Sequence, residues 1–322
     1  MFVLDSHCDT PTQILRSRNL AIDNNNAHVD FPKLRRGKVD GAFFALYIPS
    51  SFDSDPDGGF EYAARLLEVT EKAVLEEPGV AAFATSEAEA MANKSNSLFS
   101  VFLSLENGSP IGEDMDRLQW FYDRGVRYVT LCHTGNNQIC DSCATELKLW
   151  GGLSPFGKRL VARMNTLGML VDVSHISDAA FFDVLECSSK PVVATHSCCR
   201  ALADHPRNLS DEMIRELASN GGVVQINFYP VFLDSGFNEE NMFTLPRPSY
   251  KRIVDHIDHV VSIAGIDHVG LGSDFDGIDV TPEGLDDVSF MWRVFDEMRL
   301  RGYTDSDISK VAGENLFRIM SL

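Results

Sequence analysis

Side chains able to bind metal ions stand at the ends of several short apolar runs. They are His7 and Asp9 in VLDSHCD, Glu106 in FLSLE, His133 in VTLCH, His175 in LVDVSH, His196 in VVATH and Asp274 in VGLGSD. Each run has the Val-, Leu-, Ile- and Phe-rich composition of a strand buried on both faces. Imidazole nitrogens and carboxylate oxygens are ligands that Zn²⁺ takes in proteins. The pattern predicts a metal-dependent hydrolase.

Two of these segments carry carboxylates that a bound cation would explain. His7 and Asp9 are alternate residues of an extended strand, so both side chains point the same way and could reach one ion. Glu106 ends an apolar strand and needs a partner, because an unpaired buried carboxylate is costly. Two cations bridged by Glu106 would supply that partner. The alternatives are a buried histidine that satisfies backbone groups and a salt bridge from Glu106 to an arginine.

Two histidines end consecutive predicted strands. Adjacent strands of a sheet lie about 4.8 Å apart, so His175 and His196 could bind the same ion. Asp172 lies in the same strand as His175 and is predicted to support the site. The sequence therefore favours two zinc ions, with Glu106 between them.

The remaining polar candidates suit proton transfer and substrate binding. Asp274 could take a proton from a water bound to the metal, and Asp276 competes for that role. His133 could polarise a carbonyl or act as an acid. Arg207 could hold a substrate carboxylate with two hydrogen bonds, although an isolated arginine is more often a surface residue. The other five histidines are predicted to be non-catalytic: His28, His205, His256, His259 and His268.

The elements that must position these residues alternate along the chain. Strands are predicted at 2–7, 41–48, 80–85, 99–105, 128–133, 170–175, 192–197, 222–229 and 269–274. Helical patterns cover 60–77, 115–125, 154–168, 177–188, 210–221, 249–265 and 286–302. This alternation predicts parallel βα units in an α/β fold, a (β/α)8 TIM-type barrel formed as one domain by residues 1–322. In such barrels the carboxyl ends of the strands share one face, where the active site lies.

The count of strands and the gaps between elements refine this prediction. Nine candidate strands exceed the eight of the barrel, so the 80–85 strand, which carries no site-type residue, is predicted to be peripheral. The C-terminal segment TDSDISKVAGENLFRIM is predicted to form helical structure that packs on the barrel. Two long loops are predicted at 49–60 and 230–248, the second as a lid or substrate wall.

Composition excludes several classes of protein. The net charge of −19, from 47 acidic and 28 basic residues, would repel a phosphate backbone and argues against nucleic-acid binding. No apolar run approaches the roughly 20 residues of a membrane span, and the N-terminus does not read as a signal peptide, so a cytoplasmic location is expected. The odd number of cysteines, 7, favours free thiols, including Cys140 and Cys143.

Taken together, the segments resemble the membrane (renal) dipeptidase family, zinc metallopeptidases of the amidohydrolase-like barrel type. The matching segments span the chain and are DSHCDTP, SLENG, CHTGNN, GGLSPFGKRLVARMNTLGMLVDVSHIS, PVVATHS, HPRNLSDEMI, QINFY, GSDFDG and PEGLDDVS. The resemblance implies two zinc ions per chain and hydrolysis of small dipeptides by attack of a metal-bridging hydroxide. It also implies tolerance of a D-residue at the C-terminal position and a homodimer.

The resemblance also implies individual roles. His7, Asp9 and Glu106 match the ligands of one zinc, and Glu106, His175 and His196 match those of the other. His133 matches the family's histidine that polarises the scissile carbonyl. Arg207 matches the arginine that holds the substrate carboxylate, and Asp274 matches the aspartate that accepts and returns the proton of the attacking water.

The sequence departs from the mammalian members near the substrate. Phe232 stands where those relatives have a tyrosine that lines the site, and the segment after His133 lacks their tryptophan. Both changes bear on substrate preference. The alternative functions are another amidohydrolase-type hydrolase acting on a cyclic amide or ester, and a binding protein that kept the barrel. The first alternative typically has a His-x-His pair and a carboxylated lysine, where this chain has Asp9 and Glu106.

Overall fold

A parallel sheet, curled into a nearly closed barrel, forms the centre of the computed structural model, which describes residues 1–321. Its strands are β1 (Leu4–Cys8), β2 (Gly41–Tyr47), β3 (Ala81–Phe83), β4 (Phe99–Glu106), β5 (Val126–Thr130), β6 (Leu170–Asp172), β7 (Val193–Ser197), β8 (Val223–Ile226) and β9 (Val269–Leu271). The order is β1-β2-β4-β5-β6-β7-β8-β9, and β3 pairs with β4 at its outer side. The prediction of eight barrel strands and one peripheral strand is confirmed.

The barrel closes between its first and last strands through the segments that follow them. Cys8 forms a parallel bridge with Phe275, and the Asp9 amide donates to the Phe275 carbonyl at 2.9 Å. The Asp274 amide donates to the His7 carbonyl at 3.0 Å. These bonds hold the segments that carry His7, Asp9 and Asp274 side by side.

Helices surround the barrel and cover its N-terminal end. They are α1 (Thr10–Leu15), α2 (Phe31–Gly37), α3 (Pro56–Leu75), α4 (Glu87–Ser95), α5 (Met115–Asp123), α6 (Pro155–Leu167), α7 (Asp178–Cys187), α8 (Asp211–Ser219), α9 (Pro230–Leu233), α10 (Lys251–Ala264), α11 (Trp292–Leu300), α12 (Asp305–Ser309) and α13 (Asn315–Met320). Several begin at serine caps: the Ser154 side chain accepts the Gly157 amide at the start of α6, and Ser210 accepts the Met213 amide at the start of α8.

The core has an outer and an inner part. Apolar residues between the strands and the helices form the large outer cluster. Inside the barrel lie aromatic side chains, among them Phe43, Phe102 and Tyr128, and Phe317 of α13 packs against them. The Phe317 ring centroid lies 6.2 Å from that of Phe102 and 5.1 Å from that of Phe2. The C-terminal helix therefore fills the end of the barrel opposite the strand ends that carry the site residues.

The structure corrects the predicted loop at 49–60. A 3₁₀ turn covers Ser50–Phe52, and α3 begins at Pro56, four residues before the predicted helix. Asp55 caps this helix by accepting the Gly58 amide. Pro56 lies in the first helical turn, where the backbone amide has no partner within the helix, so the missing N–H of proline costs no hydrogen bond. The Asp-Pro-Asp-Gly-Gly sequence suggests a turn, but it forms a capped helix start.

The predicted loop at 230–248 is also partly helical, since α9 occupies its first four residues, and the rest consists of turns and irregular backbone. The predicted C-terminal helical segment is interrupted by a π-helical turn, in which the backbone of Gly313 departs from helical geometry. A glycine fits at this position because a Cβ on residue 313 would lie only 2.9 Å from the Phe2 carbonyl oxygen.

Across residues 1–321, none of the helices has the length and apolar character needed to cross a membrane.

Candidate metal centre

The predicted site residues meet at the carboxyl ends of the barrel strands. Glu106 is the last residue of β4, and His196 lies near the end of β7. The others sit in or just after their strands: His7 in β1, Asp9 after it, His133 after β5, His175 after β6 and Asp274 after β9. Residues separated by up to 267 positions in the chain therefore face one pocket, as the barrel prediction requires.

Glu106 lies at the centre of the cluster. Its Oε1 is 3.2 Å from His175 Nε2, 3.4 Å from His196 Nε2 and 3.8 Å from His133 Nε2. Its Oε2 is 3.5 Å from His7 Nε2, and this nitrogen is in turn 3.5 Å from Asp9 Oδ2. The two oxygens of one carboxylate thus face two different groups of potential ligands.

The donor set fits divalent cations better than a hydrogen-bonded cluster. His175 Nε2 and His196 Nε2 lie only 2.9 Å apart. Without a cation, one of these nitrogens would have to carry a proton and donate it to the other. With a cation bound between them and Glu106, both nitrogens could be unprotonated. His7 Nε2 and Asp9 Oδ1 are buried and have no hydrogen-bond partner among the described residues. The ligand atoms form three groups, and within each group all atoms lie within 4.8 Å of one another. The groups are His7/Glu106/His196, Glu106/His133/His175 and His7/Asp9/Asp274.

Tyr128 fixes the orientation of His7 from below. The Tyr128 hydroxyl donates to the Ser6 carbonyl at 2.9 Å and lies 2.7 Å from His7 Nδ1. Because its only proton goes to Ser6, the hydroxyl can only accept from His7, which places the imidazole proton on Nδ1. The other nitrogen, Nε2, then faces Glu106 and Asp9, the position from which it would bind a metal.

Asp172 fixes the orientation of His196 in the same way. The Thr195 hydroxyl donates to Asp172 Oδ2 at 2.6 Å and lies 2.8 Å from His196 Nδ1, so it accepts the Nδ1 proton. The nitrogen left without a proton, Nε2, faces Glu106 and His175. Asp172 thus supports His196 through Thr195, which agrees with the supporting position that the sequence predicts for it.

Burial sets the charges of the ligand groups. It lowers the pKa of both His175 and His196 well below the ordinary value, and the Arg207 cation acts in the same direction. Burial also raises the pKa of Asp9 to about 7, with the Glu106 charge adding to the effect. The two histidines are therefore neutral, which is the form that binds metals. Since they add no positive charge, the Asp9 and Glu106 carboxylates would be stabilised by a bound cation.

The two aspartates considered for proton transfer have different surroundings. Asp276 forms an ion pair with Arg18 at 2.6 Å and accepts from the Thr10 hydroxyl at 2.9 Å. Asp274 accepts one hydrogen bond, from Asn227 Nδ2 at 2.9 Å, and burial raises its pKa to about 6. A carboxylate already held by an arginine is a poor proton carrier, so the geometry favours Asp274 over Asp276.

Arg207 is held in the pocket wall with hydrogen-bonding capacity to spare. Its Nη2 donates to the His196 carbonyl at 2.9 Å, and its guanidinium carbon lies 5.4 Å from the centroid of the Phe232 ring. Its Nε has no hydrogen-bond partner among the described residues, although the side chain is only 7% exposed. The fixed cation could therefore receive an anionic group of a substrate, and Phe232 packs against it.

His133 and His205 complete the wall on this side. Burial and the Arg207 cation lower the pKa of His133 to about 3, so its imidazole is neutral. His205, predicted from the sequence to be non-catalytic, lines the same pocket, and its ring centroid lies 4.7 Å from that of Phe232. Its Nδ1 accepts the Arg207 amide at 3.1 Å. Its place two residues before Arg207 was the signal that could have identified it.

The site opens into a cavity of about 460 Å³, within the size range of ligand pockets. Its lining includes the cluster around Glu106, the Arg207 wall and, on the α1 side, Thr12, Gln13 and Arg16 with Tyr47. The arrangement can bind metal ions beside a fixed cation, a neutral imidazole and a carboxylate of raised pKa. These are the components of metal-assisted hydrolysis of a small anionic substrate.

Comparison with known proteins agrees with this chemistry. The model of the membrane dipeptidase family (Peptidase family M19) matches residues 1–322. A dipeptidase of Clonostachys rogersoniana, verJ, is 33% identical over 339 residues, which cover 99% of this chain and 83% of the relative. An uncharacterised dipeptidase of Schizosaccharomyces pombe is 30% identical, with 98% of this chain and 80% of the relative covered.

Solved structures show the same fold. The probable dipeptidase PvdM of Pseudomonas aeruginosa superposes with a TM-score of 0.92 at 28% identity, covering 99% of this chain and 94% of that one. A metallopeptidase of Rhodobacter sphaeroides, solved with a phosphinate mimic of the dipeptide L-Ala-D-Ala, superposes with a TM-score of 0.89 at 26% identity, covering 100% and 99%. This chain belongs to the membrane dipeptidase family and is a dipeptidase of the metallopeptidase type.

Proposed function

We propose that this protein is a binuclear zinc dipeptidase that accepts dipeptides with an L- or a D-residue at the C-terminal position. The observation that carries the proposal is the position of Glu106, whose two oxygens face separate sets of buried ligands. His7, Asp9 and Glu106 would hold one zinc, and Glu106, His175 and His196 the other. Bound zinc supplies water activation at neutral pH and polarisation of the peptide carbonyl.

The side chains around the ligands would move the proton and steady the carbonyl. Asp274 would take the proton of the attacking water and return it to the leaving amine. Its pKa of about 6 is close enough to neutrality for both transfers. His133 is neutral and faces the pocket beside Glu106, where it would contact the carbonyl oxygen as charge develops on it.

Arg207 would restrict the enzyme to short substrates. Its guanidinium, fixed by the His196 carbonyl and by packing on Phe232, would pair with the free C-terminal carboxylate one residue beyond the scissile bond. A longer peptide would place an uncharged amide there and leave the cation unpaired. The Rhodobacter sphaeroides relative, solved with a mimic of L-Ala-D-Ala, supports acceptance of a D-residue at this position.

The test is metal content measured together with hydrolysis of a dipeptide panel. The panel contains L-Ala-L-Ala, L-Ala-D-Ala and L-Ala-D-alaninamide, whose blocked carboxylate is the control for the Arg207 contact. We expect two zinc ions per chain, cleavage that a chelator abolishes, and poor cleavage of the amide. Two zinc ions without dipeptide cleavage would move the assignment to a cyclic amide or ester, and failure to bind zinc would overturn it.

A further inference from the structure

The α1 wall of the pocket carries a cation that the chemistry above does not use. Arg16 lines the cavity at its rim, one helical turn after Thr12, and is exposed. Its guanidinium has no hydrogen-bond or ion-pair partner within residues 1–321. By contrast, the pocket's other arginine, Arg207, is buried and held by the His196 carbonyl. In a chain with a net charge of −19, an unpaired arginine at the mouth of an active site is a conspicuous feature.

The barrel order indicates which part of a dipeptide meets this wall. Arg207 follows β7, while Arg16 follows β1, and the strands β8 and β9 separate the two along the barrel. If the C-terminal carboxylate pairs with Arg207 and the scissile carbonyl lies over Glu106, the N-terminal residue extends towards the opposite wall. That wall is formed by Thr12, Gln13, Arg16 and Tyr47.

The neighbours of Arg16 suit a polar, anionic group. The Thr12 hydroxyl has no hydrogen-bond partner in the described part of the chain, and the Gln13 amide donates only a 3.3 Å bond to the Asp276 carbonyl. The Asp276 carboxylate is neutralised by Arg18. Two further acids, Glu239 and Asp279, line the pocket, but neither forms an ion pair with Arg16. Among the described residues, Arg16 is therefore the only arginine or lysine that lines this wall.

We infer that Arg16 determines specificity for the N-terminal residue of the substrate and selects an acidic side chain, that of L-Asp or L-Glu. The inference rests on the proposed dipeptidase activity and names its substrate class. Pairing of the side-chain carboxylate with Arg16 would satisfy a cation that otherwise faces solvent. Because this contact lies at the rim, it should contribute a modest factor, about fivefold in kcat/KM.

The experiment compares two nearly isosteric substrates, L-Glu-L-Ala and L-Gln-L-Ala, in the zinc-loaded enzyme. We expect the wild type to prefer the Glu substrate, and Arg16→Met to lose that preference because its kcat/KM falls more for the Glu substrate than for the Gln substrate. Arg16→Glu should reverse the preference towards L-Lys-L-Ala. Arg159→Met, which removes the same charge from the exposed side of α6, is the matched control and should leave all ratios unchanged.

The outcomes separate the two proposals. Dipeptide cleavage with the same Glu-to-Gln ratio in the wild type and in Arg16→Met would overturn the role of Arg16 and leave the dipeptidase assignment standing. No cleavage of any dipeptide by the zinc-loaded wild type would overturn the dipeptidase assignment and this inference with it.

Discussion

At the scale of single residues, the site depends on groups that never touch a metal. Tyr128 accepts the Nδ1 proton of His7 and so directs Nε2, the proposed ligand atom, towards Glu106 and Asp9. Tyr128→Phe removes that acceptor without changing the packing of the ring, and should lower zinc affinity about 10- to 100-fold. A competitive zinc titration measures this effect. Tyr122→Phe, on the outer helix α5, is the control. Equal zinc affinity in Tyr128→Phe and the wild type would contradict the role.

The raised pKa of Asp274 makes a prediction for the metal-free protein. Its pKa is about 6 in the fold, against 3.8 ordinarily. As pH rises from about 4 to 6, the unfolded chain releases this proton while the folded chain retains it, so stability falls over that window. An asparagine does not ionise, so Asp274→Asn should become more stable relative to the wild type between pH 4 and pH 7.

Urea unfolding in the presence of chelator at pH 4, 5.5 and 7 measures this difference. Asp123→Asn, at an exposed position of α5, should change stability equally at all three values. If the stability difference between Asp274→Asn and the wild type does not depend on pH, the Asp274 carboxylate is not perturbed in the fold.

The site residues differed in how far the sequence could predict them. The proposed metal ligands at strand ends, such as Glu106 and His196, can be identified from the sequence because a buried carboxylate or imidazole at that place needs an explanation. Tyr128 and Thr195 are not visible in this way, since both are ordinary strand residues. Their role follows from which neighbour their hydroxyl proton points to, and that geometry exists only in the fold.

At the scale of elements, Asp172 joins three strands. Its carboxylate accepts from the Thr130 hydroxyl of β5 at 2.6 Å, and from the Thr195 hydroxyl of β7 at 2.6 Å and amide at 2.9 Å. The register of β6 with β7 contains one residue pair, Asp172 with Val193, so side-chain bonds supplement a short ladder. Asp172 therefore fixes both the sheet and the imidazole of His196.

Replacing this carboxylate should affect stability and metal binding together. Asp172→Asn keeps the size of the side chain but loses charge-assisted bonds, and should destabilise the metal-free protein by about 3 kcal/mol. Zinc affinity should fall as well, because Thr195 no longer holds His196 as firmly. Urea unfolding and a zinc titration measure the two effects, with Asp296→Asn, on the exposed side of α11, as the control. A variant that loses stability but binds zinc normally would show that Asp172 stabilises the sheet and does not contribute to metal binding.

The elements that the sequence predicts well are those whose pattern repeats over many residues. Strand β4 and helices such as α6 lie within about three residues of their predicted ends, because apolar periodicity and serine caps both mark them. Helices α1 and α2 have six and seven residues, too few for a periodic pattern to stand out. They form because tertiary contacts hold them, as α1 is held against α3.

At the scale of the whole molecule, we expect barrel closure and metal binding to depend on each other. The carbonyl and amide groups next to His7, Asp9 and Asp274 form the bonds that join the last strand to the first. The Asp9 and Asp274 carboxylates bring negative charge into a buried cluster, in a chain that already has a net charge of −19. We expect this cluster to oppose the closure that the backbone makes when no cation is bound, and to support it when cations are bound.

Removal of metal should therefore destabilise the entire barrel and not only inactivate it. A ligand present at about 1,000 times its Kd stabilises a fold by about 4 kcal/mol, and each kcal/mol changes the melting temperature of a chain this size by roughly 2–4 °C. We expect chelation to lower the melting temperature by roughly 10 °C and zinc to restore it. In Glu106→Ala, which lacks the shared ligand, zinc should raise the melting temperature much less. Identical melting of the zinc-loaded and chelated wild type would show that the barrel closes without help from the metal.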